Sequence, residues 1–116
     1  MIRMKDLARY FNVLSVDTRV RIIRLLKDGP LCVMVIASRL NITQGAISQH
    51  LRILRDAGIV SAEKRGYYMH YRINRNTLKR WAGTTERFFS EILEASEGKE
   101  SHKCLKKKTC AKNRRS

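Results

Sequence analysis

Thr43, Gln44, Ser48, Gln49 and Arg52 fall within ten consecutive residues, and their side chains are of the types that hydrogen-bond to base edges. A Gln amide offers a donor and an acceptor side by side, which matches adenine. An Arg offers two parallel donors, which matches guanine, and a Ser hydroxyl serves either. In the same stretch Ile47, Leu51 and Leu54 recur at i, i+4 and i+7, the spacing of one buried helix stripe. The polar residues are thereby left on the outer faces. Thr43 can cap the start of such a helix, and Asp56-Ala57-Gly58 closes it. An apolar segment, Cys32 to Leu40, precedes it across a short break at Leu40-Asn41-Ile42. Two short helices joined in this way make a helix-turn-helix, with the second as the element that enters a DNA major groove.

Cys32, Cys104 and Cys110 form a second set that could do chemistry. Three thiols and no export signal speak against a disulfide framework. As thiolates they would make three soft ligands for a soft metal or metalloid ion. The six residues from Gly98 to Cys104 reach up to roughly 20 Å when extended, enough for a tail thiol to approach Cys32. Lys103, Lys106, Lys107 and Lys108 would favour the thiolate forms. The spacing between Cys104 and Cys110 matches no named metal signature. A Cys104–Cys110 redox pair and plain reduced thiols stay open as alternatives. No Gly-rich phosphate loop, zinc-protease motif or nucleophile elbow is found, so an enzyme is not expected. His50 lies two residues from Ser48 but has no neighbouring carboxylate to orient it, and packing at the junction of helix and wing is its expected role.

The chain has 116 residues and a formal net charge of +15. Residues 1–98 carry 17 Lys and Arg against 9 acids, so the charge is not confined to the tail. A basic body with a helix-turn-helix points to the phosphate backbone as partner. No apolar run reaches the ~18 residues of a membrane span, and the N-terminus lacks a secretory core, so a cytoplasmic protein without membrane contact is expected.

The elements that must position these residues follow from periodicity. Met4, Leu7, Ala8, Phe11 and Leu14 share one face of a first helix. Thr18 to Lys27 is a second, with Asp17-Thr18 as its cap and Gly29-Pro30 as its stop. After Gly58, Ile59–Lys64 and Tyr67–Ile73 read as two strands around Arg65-Gly66, a basic wing with Lys64 and Arg65 at its tip. His70 is expected as an ordinary strand residue. Residues 76–97 make a last helix with Leu78, Trp81, Ala82, Thr85, Phe88, Phe89, Ile92 and Leu93 on one stripe. A chain this small has little room to bury both this stripe and that of the first helix, so both are expected to face a second copy. The fold class is therefore mainly α with a small β-hairpin: a winged helix-turn-helix of five helices and a two-stranded wing. Residues 1–98 are expected as a DNA-binding and dimerisation domain, and 99–116 as a flexible basic tail carrying two cysteines.

This order of elements resembles the ArsR/SmtB family of winged-helix repressors. The resemblance rests on Val16-Asp17-Thr18-Arg19-Val20-Arg21-Ile22, on Leu31-Cys32-Val33, and on Gln44 to Leu51 followed by Leu54 to Val60. Gly66 and Tyr71-Arg72-Ile73 complete it. It implies a homodimer on a palindromic double-stranded DNA operator and repression released by an effector. The arsenic-sensing pattern, two thiols as Cys-Val-Cys, is here Cys32-Val33-Met34, and a thioether cannot deprotonate. Core packing is the expected role of Met34. The carboxylate and His pairs of zinc-sensing members have no counterpart, because residues 76–97 hold no His. A redox-responsive or effector-less regulator, and an architectural binder indifferent to sequence, are the competing readings. Gln44, Ser48 and Gln49 argue against the last, since a purely electrostatic binder would place Lys and Arg there.

Overall fold

The structure, a computed structural model, describes residues 3–103, with side chains described for 3–97. Helix α1 spans Met4–Val13 and α2 spans Asp17–Leu25, the latter tightening into one 3-10 turn at Leu26–Asp28. Strand β1 is Leu31–Cys32, α3 is Val33–Leu40 and α4 is Gln44–Asp56. Strands β2 (Val60–Arg65) and β3 (Tyr68–Ile73) lead into α5, Arg75–Lys103.

The expected five helices are present among the described residues, but the sheet has three strands in the order β1-β3-β2, not two. The added strand pairs antiparallel with β3, Leu31 opposite Tyr71 and Cys32 opposite His70. Two residues are too few to show an alternating pattern, and the apolar run from Leu31 reads as helix throughout. The free edge of β3 supplies the missing reason: its unpaired N–H and C=O groups take up Leu31 and Cys32. Cys32 thus precedes α3 and does not belong to it.

Two further expectations change. The N-cap of α2 is Val16, which offers no side-chain hydrogen bond, and Asp17 enters the first turn, where its charge complements the helix dipole. The chain leaves α2 through Gly29, whose φ of 140° a side chain would resist. The last helix continues to Lys103, beyond its expected end at Glu97.

Ile22, Ile36, Ile47, Leu51, Leu54 and Ile59 are fully buried and form the centre of the core. They come from α2, α3, α4 and the root of the wing, so the helix-turn-helix is packed on α2 and closed by the sheet. Trp81 of α5 joins this cluster and is 5% exposed, because Tyr10 of α1 stacks on it with ring centroids 4.3 Å apart. This corrects the expectation that the two stripes wait wholly for a second copy: Trp81 is covered within one chain. Met4, Phe11, Phe89, Ile92 and Leu93 remain exposed.

Candidate nucleic-acid interface

The turn between α3 and α4 is closed by backbone bonds. The Ile42 N–H donates to the Ala37 carbonyl at 3.0 Å and the Asn41 N–H to Ser38 at 3.3 Å. This pair ends the helix in a Schellman motif, which needs a left-handed residue, and Asn41 supplies it at φ 57°. Thr43 then caps α4, its hydroxyl oxygen accepting from the Ala46 N–H at 3.2 Å. At the far end Ile59 donates to Leu54 at 3.1 Å and Gly58 to Arg55 at 2.9 Å, a second Schellman motif. Gly58 has a φ of 83°, and a Cβ there would come within 3.7 Å of the Thr77 hydroxyl.

Side chains from α1 and α2 fix α4 against the rest. Arg19 donates from Nε to Nδ1 of His50 at 3.4 Å and from Nη1 to the Val13 carbonyl at 3.2 Å. Arg9 donates to the Asp56 carbonyl at 3.2 Å. His50 therefore packs toward α2, not at the junction of helix and wing. Burial, and then the Arg19 charge, hold its imidazole below the usual pKa of histidine.

On the opposite face Gln44, Ser48, Gln49 and Arg52 are exposed, and none of their side chains hydrogen-bonds within the described residues. Ser48, Gln49 and Arg52 border a shallow concavity of about 150 Å³. Their donors and acceptors are thus turned outward on a helix whose other side is fixed. Thr43 is also exposed, but its oxygen is engaged in the cap. Met34, expected in the core, is 46% exposed and borders a second hollow with Thr43 and Gln44.

The wing is shifted by one residue from its expected form. Arg65 pairs with Tyr68, so Gly66 and Tyr67 make the two-residue turn. Gly66 takes φ 65° as the first central residue, as a type II′ hairpin requires. Tyr67, 95% exposed, occupies the tip in place of Arg65. Lys64 and Arg65 are adjacent in a strand and project to opposite faces. Lys64 is exposed, while Arg65 donates to Glu63 at 2.7 Å, and Arg72 lies 3.5 Å from the other Glu63 oxygen. Hydrogen bonding from Arg65, with the two guanidinium charges, holds the Glu63 carboxyl below the usual carboxylate range. The sequence reading missed Glu63, Tyr67 and Arg72. The Gly-X form of the turn was the signal that could have found the register.

Of the three thiols only Cys32 lies within the described residues, half-buried on β1, and Cys104 and Cys110 lie outside them. Among the described residues no three His, Cys, Asp or Glu side chains are grouped to hold a metal. No described helix is long and apolar enough to cross a membrane.

Residues 17–62 match the model of the bacterial regulatory protein, arsR family. The arsenical resistance operon repressor of Escherichia coli K12 is 38% identical over 65 residues, which are 55% of this chain and 56% of that protein. The transcriptional repressor SdpR of Bacillus subtilis 168 is 36% identical over 69 residues, 60% of this chain and 77% of the relative. Among solved structures, an ArsR-like transcriptional regulator from Rhodococcus sp. RHA1 superposes with a TM-score of 0.72 at 30% identity, covering 82% of this chain and 90% of that one. The match therefore spans little more than half of the E. coli repressor but nearly all of the Rhodococcus regulator. With the helix-turn-helix seated on α2 and followed by the wing, these likenesses show that the chain belongs to the ArsR family of bacterial regulatory proteins.

Proposed function

We propose that this chain is a sequence-specific DNA-binding transcriptional repressor that works as a homodimer. The observation that carries the reading is the outer face of α4: Gln44, Ser48, Gln49 and Arg52 are exposed with no partner among the described residues, on a helix capped at both ends. In this reading Gln44, Ser48 and Gln49 contact base edges, and Thr43, Arg52, Lys64 and Arg65 contact the backbone. Tyr67 and Arg72 extend the wing's surface.

What one chain leaves uncovered supports the homodimer in this reading. Met4 and Phe11 of α1 and Phe89, Ile92 and Leu93 of α5 are 43–62% exposed. Phe11 and Phe89 lie 6.3 Å apart between centroids, so the two helices offer one apolar surface. Two copies joined there would place two α4 helices about one DNA turn, ~34 Å, apart on a palindrome. The arsenical named for the E. coli relative is not carried over, because Met34 stands where the arsenic-sensing pattern has its second thiol.

The test is an electrophoretic titration of the full chain against its own upstream DNA and a scrambled duplex of equal length. Preference for the upstream DNA is expected. Gln49→Ala should cost ~1–3 kcal/mol at one operator position. Equal binding to both duplexes would overturn the reading in favour of an architectural, sequence-tolerant binder.

A further inference from the structure

Away from the outer face of α4, the structure holds an open cleft of about 460 Å³ between the end of α2, the wing and the first turns of α5. Ile23, Leu26, Pro30, Ile73 and Leu78 supply its apolar lining. Five cations border it: Arg24 and Lys27 from the end of α2, Arg65 and Arg72 from the wing, and Arg75 from α5. Three separate elements thus bring like charges to one concavity. Among the described residues the carboxylates that pair with them are Asp28, on Lys27, and Glu63, shared by Arg65 and Arg72. No ion pair engages Arg24 or Arg75 among those residues.

We infer that this cleft binds a small organic anion: an apolar body with a carboxylate, sulfonate or phosphate head. The cleft is of the size that takes small ligands, ~300–1,000 Å³, and has their usual make-up of apolar walls with a few convergent polar groups. Four of the five cations are Arg, whose planar fork suits a two-oxygen head group. Glu63 already shows how such a head would be held, since its carboxylate engages Arg65 and Arg72 at once. A ligand head can displace it or draw the pair toward Arg24 and Arg75. The apolar lining distinguishes the site from an ordinary solvated basic face, which would offer nothing to the body of the ligand.

The site itself does not depend on the DNA reading. Its consequence for DNA rests on it: Arg65 belongs both to the cleft and to the proposed backbone contacts, so a bound anion would withdraw one cation from the duplex.

The test uses the full chain and the fluorescent aryl sulfonate 1-anilinonaphthalene-8-sulfonate, with neutral N-phenyl-1-naphthylamine as its uncharged counterpart. One saturable sulfonate site per chain is expected, with the neutral probe at least tenfold weaker. Arg24→Gln with Arg75→Gln should weaken the sulfonate at least tenfold, and each single change several-fold, with the melting temperature retained. Both residues lie outside the proposed DNA contacts, so the double variant should keep its affinity for a duplex. Sulfonate binding unchanged in both single variants and in the double variant, or equal binding of the neutral probe, would overturn the inference. If the double variant instead lost duplex affinity and salt dependence while sulfonate did not compete, the cleft would be a seat for DNA phosphate. A chain with no operator preference that still shows the Arg-dependent sulfonate site would sink the repressor reading and leave the cleft standing.

Discussion

The Arg19 guanidinium on α2 donates from Nε to Nδ1 of His50 on α4 across 3.4 Å. An acceptor at Nδ1 requires a neutral imidazole with its proton on Nε2. Protonation would remove the acceptor and place two cations side by side. Burial and the Arg19 charge lower the His50 pKa from its ordinary 6.5. Below 6.5 the unfolded chain binds a proton that the folded chain refuses, so stability contributed by the neutral pair is present above 6.5 and falls as the pH drops toward the lowered value. Thermal melts from pH 7.5 to 5.5 should show this loss, and His50→Gln should flatten it. The same pH slope in His50→Gln would assign the titration to another group.

Thr43 has two proposed duties, and they can be separated. Its oxygen accepts from the Ala46 N–H at the start of α4. Thr43→Ala should lower unfolding stability by ~1 kcal/mol, within the ~0.5–2 kcal/mol typical of lost caps. Thr43→Ser keeps the oxygen and should restore most of it. DNA affinity lost in both variants alike would show a contact made by the Thr methyl, beyond the cap.

Glu63 holds Arg65 at 2.7 Å and Arg72 at 3.5 Å on the exposed wing. Glu63→Gln removes a negative charge and releases both guanidinium groups. Binding to any duplex should tighten, and the slope of log affinity against log salt should steepen by roughly one counterion. Operator preference should not change. An unaltered slope would mean that neither Arg65 nor Arg72 meets phosphate.

Phe89 and Ile92 are about half exposed on α5, whereas Trp81 is buried by Tyr10 in the same chain. Phe89→Glu with Ile92→Glu should convert a sedimenting dimer into a monomer at micromolar concentration. Trp81 emission should stay that of a buried indole. A wild-type chain that sediments as a monomer would end the dimer proposal outright.

Leu51 is fully buried between α4 and the rest of the core. Leu51→Ala should cost ~2–5 kcal/mol, the range for a large-to-small change at a packed site. Denaturant midpoints measure it, and a cost under 1 kcal/mol would mean that the core collapses around the gap.

Helix α4 was legible in the sequence because each of its signals is local. Ile47, Leu51 and Leu54 repeat at the helical period, Thr43 caps within three residues, and Gly58 closes within two. Near-neighbour rules of this kind need no knowledge of what the helix packs against. They also decide which residues face outward, so the exposure of Gln44, Ser48, Gln49 and Arg52 follows from the helical period without any tertiary contact. The turn at Asn41 belongs with them, since its left-handed backbone is a local demand. What the sequence alone could not decide depends on partners far away in the chain. Leu31 and Cys32 become a strand only because β3, some 40 residues later, offers an open edge. The side of α4 on which His50 anchors is chosen by Arg19 of another helix. Trp81 is covered because α1 returns to stack Tyr10 upon it. The cleft bordered by Arg24, Arg72 and Arg75 gathers cations from three elements, and no spacing along the chain expresses that proximity. Hydrophobic period and capping are encoded over one or two turns, whereas pairing, stacking and charge convergence exist only once distant segments share the same space.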